Sequence, residues 1–191
     1  MRVISGEARG RPLKAVPGKG TRPTTDKVKE AIFSIIGPYF AGGWVLDLFA
    51  GTGGLGIEAL SRGMDNAIFI DADKGSVEIV RQNLQVTGFT DKAEVYRNDA
   101  ERALKALSKR DIRFELVFLD PPYKMKTAGE LMLAMDAFGL LMPGATLIIE
   151  HETDHHYEEQ YGPFRETKHA VYGETTVTIY RYEPVSATNE E

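Results

Sequence analysis

From Trp44 the chain runs Trp-Val-Leu-Asp-Leu-Phe directly into Ala50-Gly51-Thr52-Gly53-Gly54-Leu55-Gly56, a strand-length apolar run that empties into a glycine-rich turn. Few folds accept such a segment. A nearly unbroken apolar strand must be covered on both faces, the situation of a strand inside a parallel sheet. Glycines at its exit let the backbone turn sharply and let a ligand approach with no Cβ in the way. The pattern then repeats. Strands are expected at 44–49, 67–70, 93–96, 116–119 and 146–150, and helical periodicity falls at 55–62, 74–84, 100–107 and 128–141, the last broken by Met142-Pro143-Gly144. This alternation predicts a doubly wound α/β sheet. After Tyr161-Gly162-Pro163 it stops: 164–171 and 175–182 are rich in β-branched and aromatic residues and are joined through Gly173-Glu174, which predicts an antiparallel hairpin.

Length and composition narrow the class. With 191 residues and 42% apolar content, one well-buried core is expected. No run of about eighteen apolar residues is present and Met1-Arg2-Val3-Ile4-Ser5-Gly6 lacks a signal-peptide core, so a soluble, cytoplasmic protein is expected. The absence of cysteine excludes disulfides, thiolate zinc sites and a cysteine nucleophile. The net charge of -5 argues against a polyanionic partner until its distribution is considered. Residues 1–30 hold eight Lys and Arg against three Asp and Glu, a balance of +5, which leaves -10 for the rest. The chain therefore divides into a basic arm (1–25), a body (26–184) and a polar tail expected to be disordered (185–191). At the start of the body, Thr24 or Thr25 can cap a helix with apolar positions Val28, Ala31, Ile32, Ile35 and Ile36, closed by Gly37-Pro38.

Gly51, Gly53 and Gly56 form a G-x-G-x-x-G between strand and helix, with Asp71 at the tip of the next strand, where a carboxylate can take both ribose hydroxyls. A dinucleotide enzyme shares this pattern, so an NAD-dependent oxidoreductase must be weighed. Asp47 tilts the balance, because a carboxylate inside an apolar strand needs a partner. The α-ammonium of S-adenosylmethionine is such a partner, whereas a pyrophosphate would be repelled. The alternative is a structural carboxylate capping backbone groups of the glycine loop. Asp99 and the backbone of Ala100 stand where such folds meet an adenine ring, although Asn98-Asp99 also has the form of a helix cap.

Asp120-Pro121-Pro122-Tyr123 follows the fourth strand. Two prolines fix an extended exit and remove two donors, leaving acceptors only. An exocyclic base amine is a poor nucleophile because its lone pair is conjugated into the ring. Asp120 and the Pro121 carbonyl can accept its two hydrogens while Tyr123 stacks on the base. Together the two motifs predict direct methyl transfer from S-adenosylmethionine to a nucleobase amine, with S-adenosylhomocysteine as product.

The chain resembles the bacterial small-subunit ribosomal RNA guanine-N2 methyltransferases of the RsmD family almost end to end. The resemblance rests on Ile4-Ser5-Gly6 with Arg9-Gly10-Arg11 and Leu13, on Thr21-Arg22-Pro23-Thr24 with Val28-Lys29-Glu30-Ala31, on residues 46–53, on residues 119–123, and on Tyr172-Gly173-Glu174-Thr175-Thr176. It implies a Rossmann-like S-adenosylmethionine methyltransferase fold, a mostly parallel seven-stranded sheet closed by a C-terminal antiparallel hairpin. It implies N2 methylation of one guanine in 16S RNA, of the position-966 type, on the 30S subunit or an assembly intermediate. A monomer without metal or membrane partner is expected. The cofactor would be held by Asp47, Phe49, Gly51, Thr52, Gly53, Asp71, Asp99 and Ala100, and the base by Asp120, Pro121, Pro122 and Tyr123. RNA would be gripped by Arg9, Arg11, Arg22 and Thr24, with Lys124 either meeting phosphate or lying in a solvated loop. Asp71 departs from the pattern, since many relatives carry Glu there. An adenine-N6 methyltransferase of DNA or RNA is the nearest alternative, because adenine presents the same amine. His151, His155, His156 and His169 lack companion carboxylate or cysteine spacing and are not expected to bind metal. Tyr157, Tyr161, Tyr172, Tyr180 and Tyr182 are expected to pack strands and surface.

Overall fold

The computed structural model describes residues 1–17, 25–122 and 128–185. Five parallel strands, β1 (Trp44–Leu48), β2 (Asn66–Asp71), β3 (Ala93–Arg97), β4 (Phe114–Leu119) and β5 (Leu141–Glu152), alternate with helices. The helices are α1 (Asp26–Ile36) ahead of β1, then α2 (Gly54–Ser61), α3 (Lys74–Thr87), α4 (Ala100–Leu107) and α5 (Ala128–Ala137). Strands β6 (Gln160–Tyr161), β7 (Phe164–Tyr172) and β8 (Thr175–Tyr182) complete the sheet in the order β3-β2-β1-β4-β5-β8-β7-β6. Strand β8 inserts antiparallel to both β5 and β7, so the expected closing hairpin is present. The eighth strand is the two-residue β6, too short to carry a periodic signal. No described helix is long and apolar enough to cross a membrane.

Alternate residues of the central strands feed two cores. Leu46, Leu48, Ile68, Ile70, Val117 and Leu119 pack with α4 and α5 on one face. Val45, Ala67, Phe69, Leu116 and Phe118 pack on the other with Ile32 and Phe33 of α1, Ile57 and Leu60 of α2, and Val80 and Leu84 of α3. Covering both faces is what requires these strands to read as continuous apolar runs.

Two expectations shift. Thr25 is the α1 cap, its hydroxyl accepting from the Val28 amide, but the buried stripe is Val28, Lys29, Ile32 and Phe33, and Ile35 is exposed. Helix α5 stops at Ala137 instead of reaching Leu141. Gly139 adopts φ +66, its amide and that of Leu140 bond the carbonyls of Asp136 and Met135, and Leu140 and Leu141 turn into the core. The break at Met142-Pro143-Gly144 lies inside β5, where the stretch of β4 from Phe114 to Leu116 faces the longer stretch from Leu141 to Thr146.

The first 17 residues are sewn onto the body. Val3 and Leu13 donate to the carbonyls of Arg11 and Met1 in a hairpin-like turn, and Val3, Ala8 and Leu13 are buried in the second core. Beneath them lie three buried charges. Glu58 of α2 accepts from the amides of Ile4 and Ser5 at 2.8 and 3.1 Å and pairs with Lys29 at 3.3 Å and Arg62 at 2.9 Å. Lys29 also donates to the Arg2 carbonyl. Burial pulls the Lys29 ammonium below its usual pKa, and the Glu58 carboxylate pulls against it.

Candidate active site

The central strand β1 pairs with β2 on one side and β4 on the other, with Leu48 opposite Ile70 and Leu119. The exits of all three strands therefore stand side by side, the place where open α/β sheets hold ligands. At the β1 exit Phe49 takes φ +64, an uncommon conformation for a residue with a side chain. The Ala50 amide bonds the Ile70 carbonyl, and Gly53 closes a turn onto Ala50 and is the N-cap of α2. The Asp71 carboxylate accepts from the Gly51 amide at 2.9 Å through one oxygen and from the Asp73 amide at 2.9 Å through the other. Each oxygen keeps a second lone pair, so acceptance from ribose hydroxyls stays open to it.

The three glycines of the fingerprint have different reasons for being glycine. Gly51 has φ +58, and a Cβ there would meet nothing within 4 Å. A Cβ on Gly53 would lie 3.2 Å from Val80 of α3. On Gly56 it would lie 2.4 Å from the Phe69 ring and 3.1 Å from Asp47 Oδ2. Of the three, only the first leaves backbone open to a ligand, while the second lets α3 pack against the loop and the third lets α2 approach the sheet.

Asp47 is buried, 3% exposed, and its Oδ2 accepts from the Gly56 amide at 3.0 Å. This is the backbone-capping contact weighed against an ammonium partner. Burial raises its pKa well above the usual carboxylate range. The Gly56 bond opposes that shift, and the charges of Asp71, Asp120 and Glu150 add to it. Asp99 caps α4 by accepting from the Arg102 amide at 2.8 Å and pairs with the Arg102 guanidinium at 3.3 Å, so the helix-cap alternative is the contact observed. Ala100 is the first residue of α4, half-buried against the first core.

Asp120 and Pro121 leave β4 beside this loop. Asp120 is exposed at the strand exit, and its pKa is raised to about 7, by desolvation first and then by the charge of Glu150. Glu150 gave no signal in the sequence beyond ending an apolar run. It comes to Asp120 because Leu119 pairs with Ile149 across β4 and β5. Tyr157 was likewise expected only to pack. Its hydroxyl pKa is raised to about 12 by burial, then by Tyr161 and Asp120, so it remains a protonated donor near the site. Its ring meets those of His151 and His155 edge-on at 4.8 and 4.5 Å. His151 and His169 both bond the Thr178 hydroxyl, at 2.8 and 3.2 Å. Among the described residues no group of three or more His, Cys, Asp or Glu is arranged to hold a metal ion.

The structure carries Arg9 and Arg11 exposed on the arm. Arg22 and Thr24, with Tyr123 and Lys124, lie outside the described residues. Asp47, Phe49, Gly51, Thr52, Gly53, Asp71 and the start of the Asp120 turn are thus brought to adjacent strand exits. Asp99 and Ala100 stand at the next exit, where the Asn98 amide bonds the Asp71 carbonyl.

Comparison with known proteins gives four likenesses. Residues 1–181 match the family model described as Conserved hypothetical protein 95. The chain is 51% identical over 181 residues, 95% of its length and 98% of the relative's, to the "Putative rRNA methyltransferase YlbH" of Bacillus subtilis (strain 168). It is 31% identical over 183 residues, 96% of its length and 90% of the relative's, to the ribosomal RNA small subunit methyltransferase D of Escherichia coli (strain K12). At the level of fold it is similar to an RNA methyltransferase from Salinibacter ruber solved in complex with S-adenosyl-L-homocysteine. That likeness has a TM-score of 0.61 and 19% identity, and covers 89% of this chain and 98% of the other.

Proposed function

Because the chain belongs to the Conserved hypothetical protein 95 family, the RsmD family of ribosomal RNA methyltransferases, we propose that it transfers the methyl group of S-adenosylmethionine to N2 of one guanine in 16S ribosomal RNA. The guanine is of the position-966 type, and the substrate is the small subunit or an assembly intermediate. The enzyme acts as a cytoplasmic monomer. One observation carries the chemistry: an acceptor-only strand exit at Asp120-Pro121 stands beside a glycine loop whose neighbours Asp47, Asp71 and Glu150 are carboxylates.

The residues present fit the cofactor. Open backbone at Gly51 admits a ligand, Asp71 can accept from ribose hydroxyls, and clustered carboxylates favour a ligand that carries sulfonium and ammonium charges. Bound there, S-adenosylmethionine supplies an electrophilic methyl group on sulfur. The chain's own residues prepare the nucleophile. Asp120 and the Pro121 carbonyl accept the two N2 hydrogens, which draws the nitrogen lone pair out of conjugation. Asp120 would take the proton that N2 gives up on methylation, a role suited to a carboxyl whose pKa is raised to about 7. Tyr123 stacks on the base, and Arg9, Arg11 and Arg22 hold RNA phosphates. Because N2 lies on a pairing edge, the target must be unpaired or flipped out.

The test is transfer of labelled methyl to 30S subunits and to naked 16S RNA, followed by mass spectrometry of the released nucleosides. N2-methylguanosine is expected. N6-methyladenosine would transfer the site to the adenine-N6 alternative, and no transfer to either substrate would overturn the assignment.

A further inference from the structure

Asn83 of α3 is wholly buried, and its single amide serves two separate parts of the molecule. Its Oδ1 accepts from the Lys14 amide at 2.7 Å, and its Nδ2 donates to the Lys14 carbonyl at 3.0 Å. The other Nδ2 hydrogen goes to the Thr52 carbonyl at 2.9 Å. Lys14 ends the arm's hairpin-like turn, and Thr52 lies between Gly51 and Gly53. Both donors of the amide are used, so its orientation cannot be reversed without stranding buried groups on the arm and the loop together. Two further contacts close the same circuit. Gly53 lies against Val80, one helical turn before Asn83, and a Cβ on Gly54 would lie 3.2 Å from the Met1 sulfur. Toward solvent, the same stretch of arm presents Arg11, which reaches the Val86 carbonyl at 3.4 Å, and the Lys14 ammonium, which meets Gln82 at 3.0 Å.

We infer that Asn83 is a positioning residue that couples the basic arm to the glycine loop, so that RNA on the arm and cofactor on the loop strengthen each other's binding. This rests on the proposed function for the identity of the two ligands. Coupling of binding free energies is reciprocal, so it can be read from either side. A loop peptide pinned by a bound ligand holds the Thr52 carbonyl, the carbonyl orients the Asn83 amide, and the amide holds both polar groups of Lys14. Order in the loop thereby becomes order in the arm.

Hydrogen exchange on the full chain, with and without saturating S-adenosylhomocysteine, tests this. In the wild type the ligand should slow exchange of the Lys14 amide and its neighbours in the arm several-fold. Addition of 30S subunits should in turn raise the affinity for S-adenosylhomocysteine. Asn83→Asp keeps an acceptor for the Lys14 amide but loses both donated bonds, and Asn83→Ala loses all three. Each should weaken S-adenosylhomocysteine binding by roughly tenfold, and in each the arm should no longer respond to the ligand. A merely structural role would shift exchange equally with and without ligand, and that outcome overturns the coupling. So does a wild type that binds the ligand with no change in the arm. If the variants do not fold, the two wild-type measurements decide it alone. A wild type that fails to bind S-adenosylhomocysteine would overturn the cofactor assignment and the coupling with it, whereas binding without a response in the arm overturns only the coupling.

Discussion

Two clusters of charged side chains in this molecule are built in opposite ways. Under the arm, Lys29, Glu58 and Arg62 form a closed set of opposite charges, and the Glu58 oxygens also hold two arm amides. At the strand exits, Asp47, Asp71, Asp120 and Glu150 bring like charges together, and the pKa values of Asp47 and Asp120 are raised, by desolvation first and then by these neighbouring charges. The first arrangement fastens one segment to another around a single shared carboxylate. The second destabilises its own ionised state, and a cationic ligand relieves that. Pairing of opposite charges is thus a mark of architecture, and crowding of like charges a mark of a binding site.

The most severe way to break the contrast is Glu58→Ala, which would leave Lys29 and Arg62 buried without their anion. A loss of about 3–5 kcal/mol in denaturant unfolding is expected, and a loss below about 1 kcal/mol would mean that the set is not a fastening. On the other side, Asp120→Asn should lower methyl transfer roughly 100-fold or more and leave S-adenosylhomocysteine binding nearly unchanged. The same variant tests the crowding by its pH dependence. A carboxyl with a raised folded-state pKa contributes stability below its unfolded value and loses it as pH rises through about 7. The melting temperature of Asp120→Asn should therefore exceed that of the wild type above pH 7, and the gap should close on acidification. For the same reason wild-type activity should rise through that window.

A finer contrast lies within the glycine loop. Gly56→Ala drives a methyl group into Phe69 and should cost about 1–3 kcal/mol of stability. Gly51→Ala meets open space and should cost about 1–2 kcal/mol through its left-handed backbone, with its main effect on cofactor affinity in calorimetry. Equal cofactor defects in the two variants would remove the distinction between ligand and packing glycines. The smallest effect is expected at the arm, where replacing Arg9 and Arg11 with Ala should flatten the salt dependence of RNA binding by about 1.4 in slope. An unchanged slope would move the RNA contact elsewhere.

What was legible in the sequence was whatever depends on neighbours along the chain. The expected helix at 100–107 is α4 as observed, because its amphipathic period and Asp99 cap are local. The glycine turn after β1 and the Asp120 turn after β4 were found because both are contiguous motifs. Helix α5 was drawn too long because Leu140 and Leu141 continue an apolar pattern whose destination is a strand, and periodicity cannot separate a helix end from a core-bound turn.

The sequence by itself determined the alternating architecture, the position of each motif at a strand exit and the basic character of the arm. Only the tertiary structure decided which glycine is open, that Glu150 and Tyr157 stand beside Asp120, and that Lys29, Glu58 and Asn83 are buried connectors instead of solvated helix residues. The physical reason is common to all of these. Whether a polar group is a site, a clasp or a surface residue depends on which groups surround it. For these residues the partners lie on other strands, on other helices or in the arm, at separations no local pattern records.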